Sequence, residues 1–106
     1  MQKGEYPFVS IITLNYNQTE ATCAFLESTR HLEYPAYEIL VCDMASATDP
    51  TERILQGNYP HTRLLKSKKN LGFAGGNNWG MRQAKGDYLF IVNNDTEVTP
   101  ELLQKL

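Results

Sequence analysis

Four short segments hold the residues whose types and spacing point to chemistry. Asp43 directly follows the apolar run Tyr37-Glu38-Ile39-Leu40-Val41-Cys42, and Asn93-Asn94-Asp95 follows Tyr88-Leu89-Phe90-Ile91-Val92. Asn15-Tyr16-Asn17 closes another apolar run, Phe8 to Leu14, and Lys68 to Gly76 is a glycine-rich stretch. Where such runs are parallel strands, ligands bind beyond their carboxyl ends, so the four segments would share one rim. Asp and Asn also end strands and open turns for conformational reasons alone. Two carboxylates at the same rim favour a binding role. The glycines leave two readings open. They allow close backbone approach and tight helix packing, or they let N–H groups at a helix start face a phosphate.

Other chemistries are excluded by the same inspection. Gly72-Phe73-Ala74-Gly75-Gly76 is not G-x-G-x-x-G and does not follow the first strand, so a dinucleotide fingerprint is missing. No P-loop pattern occurs, and Ser10, Ser28, Ser46 and Ser67 lack a nucleophile-elbow context. His31 and His61 have no partner at a useful spacing and read as surface residues. Trp79, flanked by Met81, reads as core or interface rather than as a stacking platform. Lys66, Lys68 and Lys69 read as a solvated edge.

Strands and helices must alternate to position these segments, and the punctuation supplies them. Phe8 to Leu14 is a β-branched run and the expected first strand. Asn17, with Glu20 three residues on, resembles a capping box, and Thr22, Phe25, Leu26 and Thr29 recur at helical spacing before Pro35. Tyr37 to Cys42 is the second strand. Asp49-Pro50-Thr51-Glu52 is a helix start capped by Asp49, with Gly57 as its stop. Thr62 to Lys66 is an outer strand. Asn70 to Gly76 is expected as a loop, followed by a helix around Asn77 to Ala84 that Gly86 closes. Tyr88 to Val92 is the fourth strand, apolar enough for a central position. Thr99-Pro100-Glu101 repeats the cap-plus-proline start, which makes the chain read as the front part of a longer protein.

This alternation implies α/β architecture: an open, mainly parallel, Rossmann-like sheet of about four strands with helices on both faces. In a strand order 3-2-1-4, Tyr88 to Asn93 would be an edge, and an unpaired apolar edge is expected to self-associate. Lys and Arg number 10 against 12 Asp and Glu, a net charge of −2, which argues against nucleic acid as a partner. With 42% apolar and 21% charged residues the chain reads as ordinary and globular, and no apolar run approaches the ~20 residues of a membrane helix. Cys23 and Cys42 lack metal-ligand spacing and read as buried thiols of a reducing compartment. Met1 to Pro7 is polar and lacks a signal peptide's apolar stretch, so the expected location is cytoplasmic.

Val9 to Asn17, Tyr37 to Asp43, Asn70 to Gly80, Gly86-Asp87-Tyr88 and Asn93 to Val98 together resemble, in that order, the opening of a family 2 glycosyltransferase. The resemblance covers about Pro7 to Leu106. It implies a GT-A fold whose N-terminal half binds a nucleoside diphosphate sugar, UDP- or dTDP-linked, and residues 1–106 would be that part. Asp43 would contact the nucleobase, Tyr16 would lie near it, and Leu14 and Asn15 would add neighbouring contacts. Asn70, Gly72, Asn77 and Asn94 complete the implied nucleotide-binding set. Asp95 matches the last acid of a D-x-D metal motif, with Asn93 in place of the first acid, and the implied cofactor is Mg²⁺ or Mn²⁺. Asn77 stands where an Arg is common.

The Asn-Asn-Asp-Thr variant resembles a branch that includes rhamnosyltransferase-like enzymes of surface polysaccharide assembly. A saccharide or lipid-linked acceptor is implied, with a place at the inner face of the membrane as an alternative to the open cytoplasm. Leaving diphosphate develops charge, and a hard cation meets it with few carboxylates plus phosphate oxygens and water. The resemblance further implies inversion at the anomeric carbon, with a base beyond the metal motif. No catalytic residue is therefore expected here, and this part alone is expected to bind donor without transferring. Two rivals are weaker. A nucleotidyltransferase would carry a basic glycine-rich loop where Asn15-Tyr16-Asn17-Gln18 stands. A receiver or flavodoxin-like module of the receiver type needs an acidic pair there.

Overall fold

The aliphatic and β-branched runs form four strands in the computed structural model, which describes residues 6–96. They are β1 (Val9–Asn15), β2 (Tyr37–Met44), β3 (Thr62–Ser67) and β4 (Tyr88–Ile91). Helices α1 (Thr19–Thr29), α2 (Thr51–Gln56) and α3 (Gly72–Met81) connect them. Every pairing is parallel and the order is β3-β2-β1-β4. The helix start expected at Thr99 lies outside the described residues. Among those residues no helix is long and apolar enough to cross a membrane.

Side chains alternate along a strand, so the sheet builds two cores. Val9, Ile11, Ile39 and Val41 pack with Cys23, Phe25 and Leu26 of α1 and Ile54 of α2. Ile12, Leu40, Cys42 and Met44 face the other way, against Trp79 and Met81. Trp79 is thus a packing residue, as its setting in the sequence indicates. β2 is buried at all eight positions, and both cysteines are free and buried. Burial pushes the Cys42 thiol up to about 12.

Two expectations require correction. Asn70 to Gly76 is not all loop, because α3 begins at Gly72 and ends at Met81 rather than Ala84. Glycine is a poor helix former, but here the helix lies almost on the sheet. A Cβ on Gly80 would sit 2.8 Å from Cys42 Sγ and 3.0 Å from Ile12 Cγ2. Second, the Asn17–Glu20 capping box does not form: Gln18 precedes α1 and no side chain caps it. Asn17 instead adopts φ 54°, which Asn tolerates, and Glu20 makes a two-pronged pair with Arg53 at 2.8 and 2.9 Å. That pair holds the Glu20 carboxyl below its usual range and ties α1 to α2. The strand order is the 3-2-1-4 arrangement that makes Tyr88 onward an edge, and β4 is that edge, with Tyr88, Leu89 and Ile91 exposed, although its composition also suits a central strand.

A polar cluster anchors the opposite end of the sheet. Buried Glu38 accepts from Ser10 Oγ at 2.6 Å, from the Lys85 amide at 2.8 Å and from Arg63 Nε at 3.2 Å, and pairs with the Arg63 guanidinium at 3.1 Å. Burial pushes its carboxyl up, but those hydrogen bonds and the Arg63 charge outweigh it and hold the group below its ordinary value. Asp87 also clamps Phe8 through its side chain and its amide, at 3.0 and 2.6 Å. Together these contacts lock β4 beside β1 in register.

The helix–sheet spacing yields a testable contrast. Overpacking costs about 1–3 kcal/mol where neighbours cannot move, more than the roughly 1 kcal/mol that Gly→Ala gains in a helix. Gly80→Ala meets the short side chains of Cys42 and Ile12, whereas Gly76→Ala meets the flexible ends of Leu14 and Met44. Urea denaturation should show a clear loss of stability for Gly80→Ala and a smaller change for Gly76→Ala.

Candidate functional site

Parallel register places Asn15 directly beside Asp43 at the carboxyl ends of the two central strands. Both are buried, at 0% and 3% exposure, so their polar atoms must be satisfied internally. Asn15 Nδ2 donates to Asp43 Oδ1 at 2.9 Å, and Thr22 Oγ1 donates to Asn15 Oδ1 at 2.7 Å. Asp43 Oδ1 also accepts from Ser46 Oγ at 2.6 Å, and Oδ2 accepts from the Ser46 amide at 3.1 Å. This bends the chain so tightly that Ala45 takes φ 61°, a left-handed conformation costing roughly 1–2 kcal/mol. Ser46 Oγ in turn accepts from the Asn17 amide at 2.9 Å, and Asn17 Oδ1 accepts from the Ala47 amide at 2.7 Å. The loops after β1 and β2 are therefore one hydrogen-bonded unit built on Asp43.

A cleft of about 290 Å³ opens beside that unit. Leu14, Tyr16, Asn70, Gly72, Asn93 and Asn94 all line it, together with Gln18, Met44 and Phe73. Six of the ten site residues expected from sequence thus meet in one concavity. Tyr16 stands half exposed on its wall. Asn70 Oδ1 accepts from the Gly72 amide at 2.9 Å, and Gly72 takes φ 76°, so the two residues shape the turn from which α3 starts. The first turn of α3 contains no acidic side chain, leaving its partial positive charge at the cleft uncancelled.

The remaining expected residues stand apart from the cleft lining. Asp43 and Asn15 lie behind it in the network just described. Asn77 is buried within α3, and its side-chain carbonyl oxygen is unpaired. Asp95 does not share the cleft with Asn93; it lines a wider groove of about 640 Å³ beside Glu20, Asp49 and Arg53. Asp49 there is held at about 2 by the Thr51 hydroxyl and amide and by Lys66. Among the described residues no group of three or more His, Cys, Asp or Glu could hold a metal ion.

The family model of glycosyl transferase family 2 matches residues 10–106. The chain belongs to that family. Over 101 residues it is 34% identical to WfaP of Escherichia coli, named a UDP-Glc:alpha-D-GlcNAc-diphosphoundecaprenol beta-1,3-glucosyltransferase, covering 92% of this chain and 39% of that one. Residues 1–349 of TarS of S. aureus superpose with TM-score 0.79 at 26% identity, over 92% of this chain and 30% of that one. TarS has also been solved with UDP and with UDP-GlcNAc. The mannosyltransferase PcManGT of Pyrobaculum calidifontis, solved with GDP-Man and Mn²⁺, shares the fold with TM-score 0.84 at 22% identity, over 94% of this chain and 31% of that one. The sheet is accordingly that of GT-A glycosyltransferases. The chain spans between 14% and 39% of the length of the curated relatives it matches.

Within this family 2 chain, the structure adds two residues that motif reading passed over. Ser46 sits three residues after Asp43, a spacing at which a carboxylate commonly accepts a backbone N–H, so a local signal existed. Thr22 carries no such signal, because its partners lie 7 and 72 residues away. The burial of Asp43 also has a consequence for stability. Asp43→Asn replaces one acceptor oxygen by a donor facing either Asn15 Nδ2 or Ser46, and leaving such a group unpaired costs about 1–3 kcal/mol. Urea denaturation without any ligand should show that loss; an unchanged midpoint would remove Asp43 from its structural place.

Proposed function

We propose that this chain is the nucleotide-sugar-binding part of a GT-A glycosyltransferase. The full protein would move a sugar from a UDP- or dTDP-linked donor to a saccharide or lipid-linked acceptor in cell-surface polysaccharide assembly. The supporting observation is the meeting of Leu14, Tyr16, Asn70, Gly72, Asn93 and Asn94 in one cleft at the carboxyl end of the sheet. The names of WfaP and of the TarS complexes agree with that donor and acceptor chemistry. In this reading Tyr16 and Leu14 border the base, and Asp43 accepts its N–H through lone-pair capacity that Ser46 and Asn15 leave unused. The diphosphate lies toward the first turn of α3, where N–H groups and the helix dipole favour negative charge.

Asp95 would hold Mg²⁺ or Mn²⁺, and Asn93, which lines the neighbouring concavity, would join it once its side chain turns toward the ion. A single carboxylate suits a cation whose other ligands are phosphate oxygens and water, rather than one caged by protein alone. Such an ion, when bound, neutralises charge on the leaving diphosphate. None of the site residues named here is assigned as the base that accepts the acceptor's proton, and this chain alone would bind donor without transferring. Inversion at the anomeric carbon and action in the cytoplasm, at the inner face of the membrane, belong to the same proposal.

Calorimetric titration with UDP and dTDP, with and without Mn²⁺, tests it. The chain should bind at least one nucleotide more tightly with Mn²⁺, and Asp95→Asn should abolish that gain while leaving metal-free affinity in place. Failure of both nucleotides to bind would contradict the reading, and a larger loss from Asn93→Ala than from Asp95→Asn would reassign the cation ligand. Self-association is proposed as well, through the β4 edge, where Tyr88, Leu89 and Ile91 are 60%, 44% and 41% exposed. Light scattering should report mass rising with concentration; a monodisperse monomer at high concentration would remove that part.

A further inference from the structure

Thr22 belongs to none of the rim segments, yet its hydroxyl joins the two ends of the proposed donor site. It is fully buried on α1. Its Oγ1 donates to Asn15 Oδ1 at 2.7 Å and accepts from Asn94 Nδ2 at 3.0 Å. Asn15 continues the path to Asp43 at 2.9 Å, and Asp43 to Ser46 Oγ at 2.6 Å. An unbroken line of hydrogen bonds therefore runs from the turn bearing Asn93 and Asp95 to the loop that follows β2. A hydroxyl carries one proton. With that proton committed to Asn15, only lone pairs face Asn94, which fixes how the Asn94 amide must point.

The turn depends on that tie. β4 pairs with β1 as far as Ile91, and the Val92 amide adds one bond to Ile12 at 2.9 Å. Beyond Val92 the turn makes its own short bond, from the Thr96 amide to Asn93 oxygen at 3.1 Å. The Asn94–Thr22 side-chain bond ties it to α1. We infer that Thr22 is a positioning residue that couples the cation-bearing turn to the Asp43 unit, so that the base end and the diphosphate end of the donor are held at a fixed separation. This rests on the donor reading above.

Thr22→Val keeps the shape and removes the hydroxyl; Thr22→Ser keeps the hydroxyl. Two measurements on the full chain separate the outcomes. Amide hydrogen exchange at Thr96, without ligand, reports the docking of the turn. The Mn²⁺-dependent gain in UDP affinity reports the coupling. Thr22→Val should speed exchange at Thr96 at least about fivefold, the worth of one hydrogen bond, and should lose most of the Mn²⁺ gain. Metal-free UDP affinity should stay within about twofold, because Asn15 keeps its bonds to Asp43 and to Thr19, at 2.9 and 3.2 Å. Thr22→Ser should restore both values. Wild-type exchange together with a wild-type Mn²⁺ gain in Thr22→Val overturns the inference. If that variant fails to fold, Asn94→Ala cuts the same bond from its partly exposed end, and because Asn94 itself lines the donor cleft, exchange at Thr96 then decides: wild-type exchange overturns the inference. If the wild-type chain does not bind UDP, the donor reading falls, while exchange at Thr96 still decides whether Thr22 positions the turn.

Discussion

The hydrogen bond between Asn15 and Asp43 is the constraint around which the carboxyl end of this sheet is organised. A carboxylate 97% removed from solvent is costly unless its oxygens are satisfied, and a neighbouring strand offers only what its register allows. Here the register sets Asn15 opposite Asp43, and an amide can donate to the carboxylate while accepting from elsewhere. That second capacity is what recruits Thr22, and through it Asn94. The other lone pairs recruit Ser46 and with it the loop from Ala45 to Ala47. One buried pair thereby sets the positions of three separate loops. Glu38 does the corresponding work at the amino end, where it joins β1 to the segment after α3.

Much of the fold was legible in the chain because it rests on local patterns. Apolar runs of strand length, separated by helical spacing and by proline and glycine stops, yield the parallel α/β order without any tertiary information. What failed depends on contacts between distant residues. Glycines at 72, 75 and 76 look like a loop to local propensity, yet α3 starts at Gly72, and the closeness of Leu14 and Met44 at Gly76, like that of Cys42 and Ile12 at Gly80, makes glycine the residue a helix needs there. Asn17 and Glu20 have capping-box spacing, but Arg53 offers Glu20 a charged partner and Ala47 offers Asn17 a backbone amide. The apolar character of Tyr88 to Ile91 is the same for a central and an edge strand; only the order of strands distinguishes them.

The candidate site shows the same division. Residues at strand ends and helix starts were found, since a parallel sheet brings such positions to one rim by construction. Their division into a cleft, a buried network and an outer groove was not legible. It depends on which face of its strand or turn each side chain takes. Asn93 and Asp95 illustrate it: two residues apart in the chain, they line different concavities on either side of the turn. Asn77 points the other way. A motif position suggests a ligand contact, and the fold buries it inside α3 with an unpaired carbonyl oxygen.

The central claim is that the carboxyl-end cleft is where a nucleoside diphosphate binds. Backbone amide chemical shifts, followed by NMR as UDP is added to the isotope-labelled chain with Mg²⁺, test it most directly. The account predicts saturable shifts concentrated at Leu14, Tyr16, Asn70, Gly72, Asn93 and Asn94, with smaller ones along Asn15, Asp43 and Ser46 and none around Glu38 and Lys85. Shifts centred on the α2 side, at Thr51 to Gln56, or no saturable shift at any of the cleft residues, would contradict it.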